Sequence, residues 1–269
     1  MRMNRNLYSK ELRRNRKNLV IWSSIVIGLT ILVMSIFPYM KNMGEEMATM
    51  MSKMPEGMSK AMGINEHTFN SILGMYNSYY GIYIIVLLSI YTSSTGATII
   101  SKEEKNKTAE FLLTKPISRK NIFGTKLLVL FTLTFIAFFV QTITAMIFVI
   151  AFEEHVKWNI FITMHMHGLM LILFFTCVGL LLSMLIKPKK NFMGMTVGIV
   201  FGSYFLNTIA KAADTVNWIG YVSPFHYLDF AITDLNYSVN FASVGIMLFA
   251  SFVMVIVSYK IYKKKDISA

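Results

Sequence analysis

The stretch Ser101–Asn121, SKEEKNKTAEFLLTKPISRKN, decides how the rest of the chain is read. It is polar and helix-capable, yet it lies between two long apolar runs, so it meets something other than the lipid those runs require. Ser101 with Glu104 fits a capping box, Glu103 stands one helical turn before Lys107, and Pro116 stops the helix near Lys115. Ser118 is then placed to cap the next helix. The short helix ends in Phe111, Leu112 and Leu113, and the basic turn from Lys115 to Arg119 follows. An apolar end on a solvated helix calls for a partner surface. The alternative is a solvated basic loop between membrane helices.

Outward from this stretch, six apolar runs are long enough to cross about 30 Å of hydrocarbon, which takes about 20 residues. They are Leu19 to Tyr39, Tyr79 to Ile100, Leu127 to Phe152, Ile160 to Ile186, Phe192 to Ala213, and Phe241 to Tyr259. With 55% hydrophobic and 15% charged residues among 269, and a mean hydropathy of +0.53, the chain is too apolar for a soluble domain of its size. The expected fold is an all-α integral membrane protein forming one transmembrane domain over 1–269. Residues 1–18 are expected as a cytoplasmic amphipathic interfacial helix, 40–78 as an outer loop, 101–121 as a polar cytoplasmic loop and 214–240 as an outer interfacial or re-entrant segment. The first run exceeds a signal-peptide core and lacks a small-x-small cleavage site, so it reads as a retained span.

Six spans put both termini on one side, and the basic residues say which. Seven Lys and Arg fall in 1–18, seven in 101–126, three in 187–190 (Lys187, Lys189, Lys190) and four in 260–265, leaving five for the opposite side. That bias predicts cytoplasmic termini. It also accounts for the net charge of +12 without nucleic acid. The basic helix 1–18 and the tail 260–265 read as contacts with anionic membrane lipid.

Several segments carry a chemistry worth weighing. Met40, Met43, Met47, Met50, Met51, Met54, Met58 and Met62 share much of one helical face in the outer loop; they read as an adaptable apolar stripe, or alternatively as soft ligands for Cu(I). Ser89, Ser93 and Gly96 lie in a second span rich in small polar residues, suited to close helix packing or to a polar-tolerant path. Gln141 reads as interhelical glue. His165 and His167 are two apart and make a poor chelate, so they read as interfacial histidines rather than a metal site. Gly194, Gly198 and Gly202 form a doubled small-xxx-small pattern, for packing within the chain or against a second copy. Cys177 is the sole cysteine, which excludes an intrachain disulfide.

What is missing is equally informative. There is no phosphate-cradling Gly-x-x-x-x-Gly-Lys-[Ser/Thr], no His-Glu-x-x-His and no Gly-x-Ser-x-Gly, so no catalytic residue and no ATP site is expected in this chain. The cores of the six runs hold no Asp, Glu, Lys or Arg, whereas ion-coupled carriers keep such residues for function. A transporter energised from outside the membrane fits best. An ATP-independent channel or scaffold is the alternative.

Glu103-Glu104, Thr108-Ala109-Glu110, Leu112-Leu113 and Pro116-Ile117-Ser118-Arg119 resemble the loop of ABC-2 type permeases, and Tyr221-x-Ser-Pro-Phe225 before the last span is similar to that family as well. The layout of the whole chain shares the resemblance. It departs at Lys107, where the family commonly has Gly before Thr. The resemblance implies that 101–121 carries a coupling helix docking on a separate ATPase, through Glu103, Glu104, Glu110, Phe111, Leu112 and Arg119. A second cytoplasmic turn at Lys187, Lys189 and Lys190 would meet the same subunit. It further implies a complex of two ATPase subunits, which bind ATP and Mg, with two permease subunits as homodimer or heterodimer. Ser89, Ser93, Gly96, Gly194, Gly198 and Gly202 would then line the path or the dimer seam. The location implied is a bacterial plasma membrane. A cargo that is amphipathic or hydrophobic, such as an antimicrobial or toxin peptide or a drug, suits the uncharged spans and the Met-rich stripe. A copper-related permease is the alternative.

Overall fold

The computed structural model of the chain describes residues 4–43, 46, 49–50, 53–55, 57–59, 71–106, 117–153, 155–186, 191–228 and 239–264. Among them there is no strand, and six helices are long and apolar enough to cross a membrane: α1 Arg5–Asn42, α2 Ile72–Ile99, α3 Arg119–Phe152, α4 Trp158–Leu185, α5 Phe192–Ala212 and α6 Phe241–Lys264. The protein is an integral membrane protein of the all-α class.

Helix starts follow the capping residues in the sequence. Asn4 accepts a hydrogen bond from the Leu7 amide to open α1, Ser71 from Gly74 to open α2, Ser118 from Asn121 to open α3, and Asn191 from Gly194 to open α5. Ser118 thus caps as expected. Ser101 does not: its hydroxyl donates to the Ala97 carbonyl at 2.6 Å, and the short helix Ser101–Lys105 starts without a side-chain cap. Ile100 keeps right-handed helical backbone, so the first amides of that helix meet carbonyls of the preceding turn, Glu103 to Ile100 at 3.2 Å, and need no capping hydroxyl.

The centre of the bundle is α2 packed on α4, with 72% and 61% of their apolar windows buried; α6 at 11% is the most peripheral. Glycines make the central crossing close. A Cβ at Gly96 would come within 2.7 Å of the Thr176 carbonyl oxygen, and one at Gly179 would overlap the Ser93 carbonyl. Around this pair α1 lies on α3, α6 on α4, and α5 on α2. Their outward faces expose Ile25 and Leu32 of α1, Phe139 and Ile143 of α3, Phe205 of α5 and Phe249 of α6, the surface a lipid environment covers.

The first helix corrects one boundary. Residues 1–18 are expected as a separate interfacial helix, but α1 runs unbroken from Arg5 to Asn42, about 57 Å, nearly twice the hydrocarbon thickness. Its apolar side near the start is taken by protein: Leu7 is buried in a cluster with Ile99, Ile122, Phe123 and Leu130, Tyr8 bonds Thr132 at 3.0 Å, and the Asn4 amide donates to Thr125. A helix whose apolar face is already covered has none left to lay into a membrane surface.

Two further differences concern the ends of the spans. His165 and His167, expected at an interface, are both buried inside α4, which begins at Trp158, and His165 lies against Tyr76 and Tyr80 at the aromatic start of α2. Between α5 and α6, the described residues form a 3-10 helix Asp214–Val222 and a single turn Pro224–Tyr227. Ser223 donates to the Ser203 carbonyl at 2.7 Å and caps the turn, and Phe225 is buried between Phe175 and Tyr204, while Trp218 and Tyr221 stay exposed.

Candidate functional site

One end of the bundle holds a group of interacting charged residues. Glu11 of α1 places Oε2 2.6 Å from Lys102 Nζ and Oε1 3.2 Å from Lys126 Nζ. Lys126, in the second turn of α3, also donates to Glu103 Oε1 at 3.2 Å and to the Ile99 carbonyl at 2.7 Å. Arg14 Nη1 reaches the same Glu103 oxygen at 3.0 Å. Five residues from α1, from the short helix after α2 and from α3 thus form one ionic cluster. Arg119 adds a tie to α6 by donating to the Lys263 carbonyl at 3.3 Å, so the two ends of the described chain meet here.

Burial makes this cluster costly to disturb. Glu11 and Lys126 are 2% and 1% exposed, and a charge so removed from water is held only by its partners. Lys126 donates to Glu103 and to the Ile99 carbonyl and is ion-paired with Glu11, so its buried charge faces two carboxylates. Burial pushes the pKa of Lys102 below the ordinary lysine value; Glu11 pulls it back up, and Lys126 and Arg14 lower it further. Ala or Gln at Glu11 would leave the buried Lys126 and the half-buried Lys102 without their shared carboxylate.

Glu103 and Arg119, named from the sequence, both enter this end of the molecule, and Glu104 lies on the same short helix. Glu110, Phe111 and Leu112, with Lys187, Lys189 and Lys190, lie outside the described residues. Ser89, Ser93 and Gly96 are buried, and the face of α2 that bears Ser93 and Gly96 is the one pressed on α4, which makes it a seam inside the chain. Gly198 and Gly202 are different: nothing among the described residues approaches the position of a Cβ at either, and they stay on the open face of α5 with Phe201 and Phe205. Gln141 bridges helices as expected, donating to the Tyr76 hydroxyl at 2.6 Å. Of the outer methionines, Met50 and Met58 are exposed, and Met47, Met51 and Met62 lie outside the described residues. No group of three His, Cys, Asp or Glu suited to a metal occurs among the described residues.

Residue chemistry alone overlooked Glu11, Arg14, Lys102 and Lys126. A signal was present: Glu11 is the one acidic residue within the first eighteen, set among seven basic ones, and Lys126 directly precedes an apolar run. A lone carboxylate on a strongly basic helix is a reason to look for cations from elsewhere.

Six apolar helices, tied at one end by an ionic cluster, define a multi-pass membrane protein. The chain belongs to the ABC-2 transporter family: the match, to the family described as ABC-2 family transporter protein, spans residues 5–267. No curated protein matches it. Membership makes it a transmembrane subunit of an ABC transporter, a class that works with an ABC ATPase and a membrane-embedded partner and is itself generally non-catalytic.

Proposed function

We propose that this subunit exports an amphipathic or hydrophobic cargo, such as an antimicrobial or toxin peptide or a drug, driven by two copies of a separate ATPase that bind ATP and Mg. Both termini face the cytoplasm of a bacterial cell, so the ionic cluster lies on the ATP side. The ATPase docks on 101–121 through Glu104, Glu110, Phe111 and Leu112, and on the turn at Lys187, Lys189 and Lys190. The observation that carries this reading is the fastening of that loop's first turn: Lys102 and Glu103 are ion-paired to Glu11, Arg14 and Lys126. A push on the loop then moves α1 and α3 together instead of bending a slack linker. The glycine face of α5 is the seam for a second permease subunit: Gly198 and Gly202 lie open on it, and Gly194 sits at its start beside the capping Asn191. Ser223 and Phe225, tucked between α4 and α5, anchor a re-entrant segment that closes the far side of the path.

The test is Phe111→Asp in the complex purified with its ATPase. A charge in the docking surface should abolish cargo-stimulated ATP hydrolysis while the subunit keeps its melting temperature. Unaltered hydrolysis and transport in that variant would remove the docking assignment.

A further inference from the structure

At the end of the bundle away from the ionic cluster, three helices are joined by a chain of hydrogen bonds with a fixed direction. His165 Nδ1 lies 2.8 Å from the Phe161 carbonyl, which only accepts, so Nδ1 carries the proton. In the neutral ring Nε2 is then an acceptor, and the Tyr76 hydroxyl at 3.2 Å donates to it. The oxygen of Tyr76 in turn receives the Gln141 amide at 2.6 Å. The chain therefore runs from α3 through α2 to α4. Gln141 Oε1 is buried without a hydrogen-bond partner among the described residues, and the rings of Tyr80, Phe161 and Phe138 pack around the imidazole.

One turn past Tyr76, α2 stops being α-helical. Tyr80–Ile84 is a π turn, which holds one residue more than the α-helix needs. On its far side, Ile85–Ile99 is locked on α4 by the close backbone contacts of Gly96 and Gly179. The preceding piece, Ile72–Tyr79, is buried among its neighbours, and Tyr76 bonds it to both α3 and α4. Drawing the extra residue of a π turn into regular helix turns one piece against the other by on the order of 100° and 1.5 Å.

We propose that α2 is a two-piece helix, in which Ile72–Tyr79 swivels at the π turn, and that the Gln141–Tyr76–His165 chain is the latch that keeps the outer half closed. This rests on the transport reading. Locking of the inner piece on α4 means that force from the ionic cluster reaches the swivel through a stiff element. Parting the latch exposes a tyrosine hydroxyl, an amide and an imidazole together, the groups that would next meet water or cargo.

The experiment places spin labels at Tyr79→Cys and Asn159→Cys, in a Cys177→Ser background, in nanodiscs with the co-purifying ATPase. Wild type without nucleotide should give one narrow distance distribution, which shifts with a non-hydrolysable nucleotide. Tyr76→Phe, which keeps the ring and removes both bonds, should populate the shifted distance without nucleotide. If Tyr76→Phe expresses poorly, Gln141→Met removes the donor that fixes the hydroxyl and should move the distribution the same way by a smaller amount. Distances that match wild type in both variants, with only the melting temperature lowered, would make the chain mere interhelical glue and end the proposal. A pair that never moves with nucleotide on an active ATPase would overturn the swivel. Absence of any ATPase would instead remove the transport reading, and the nucleotide-free comparison would still decide the latch.

Discussion

Glu11 carries the most consequence per atom in this molecule. One carboxylate holds two lysines from two other elements, and both it and Lys126 are withdrawn from water. Glu11→Gln should cost roughly 3–5 kcal/mol of stability, as breaking a buried pair does when the partner stays charged. Thermal melting in detergent checks it, and a partial return of stability in Glu11→Gln with Lys126→Met would trace the loss to the stranded lysine. Glu153, at the opposite end, carries a different electrostatic cost. Burial raises its pKa against the pull of Lys157 and Lys41, and Oε2 has no hydrogen-bond partner among the described residues. A carboxyl whose folded pKa lies above its unfolded one lends stability below the unfolded value and loses it as pH rises through the folded one. Glu153→Gln should therefore melt higher than wild type at pH 7.5, and the gap should close toward pH 4.5. An equal gap at both values would point to packing instead.

Among the helices, the crossing of α2 and α4 is the feature least tolerant of added atoms. Gly179→Val would drive side-chain carbons into the Ser93 backbone, and Gly96→Val would meet Thr176 and Leu180. Either should sharply lower the yield of folded protein in size-exclusion chromatography, by an overpacking cost of about 1–3 kcal/mol or more. Gly198→Val and Gly202→Val should fold normally, because none of the described residues stands near either position. If a second permease packs there, those two variants should lower dimer content without lowering the melting temperature of the monomer. The contrast separates two glycine roles that sequence spacing alone left merged. Spacing gives periodicity, and periodicity does not say whether the facing helix belongs to the same chain.

The same limit shows how much of the whole molecule could be read in advance. The six helices, their order and the cap at Ser118 follow from local composition and short-range hydrogen bonding, which are written in consecutive residues, whereas the capping box read at Ser101 did not form. The π turn, the burial of His165 and the ionic cluster depend on which helices become neighbours, a property of packing that no window of sequence contains. Glu11 and Lys102 are ninety-one positions apart, and only the meeting of α1 with the loop after α2 pairs them. The extension of α1 through residue 18 was hidden for a related reason: basic residues among leucines fit a surface helix and a protein-packed helix equally well. At this scale the account makes a single mechanical claim, that ATPase force enters at 101–121 and passes through the ionic cluster into α1 and α3.

The most direct measurement is to purify the tagged chain in mild detergent from its native cell, identify what accompanies it and assay ATP hydrolysis. The account predicts a co-purifying subunit with a phosphate-cradling Gly-x-x-x-x-Gly-Lys-[Ser/Thr] loop, and hydrolysis at least tenfold lower in complexes carrying Phe111→Asp. A chain that purifies alone, with no associated ATPase in any mild detergent, would contradict it.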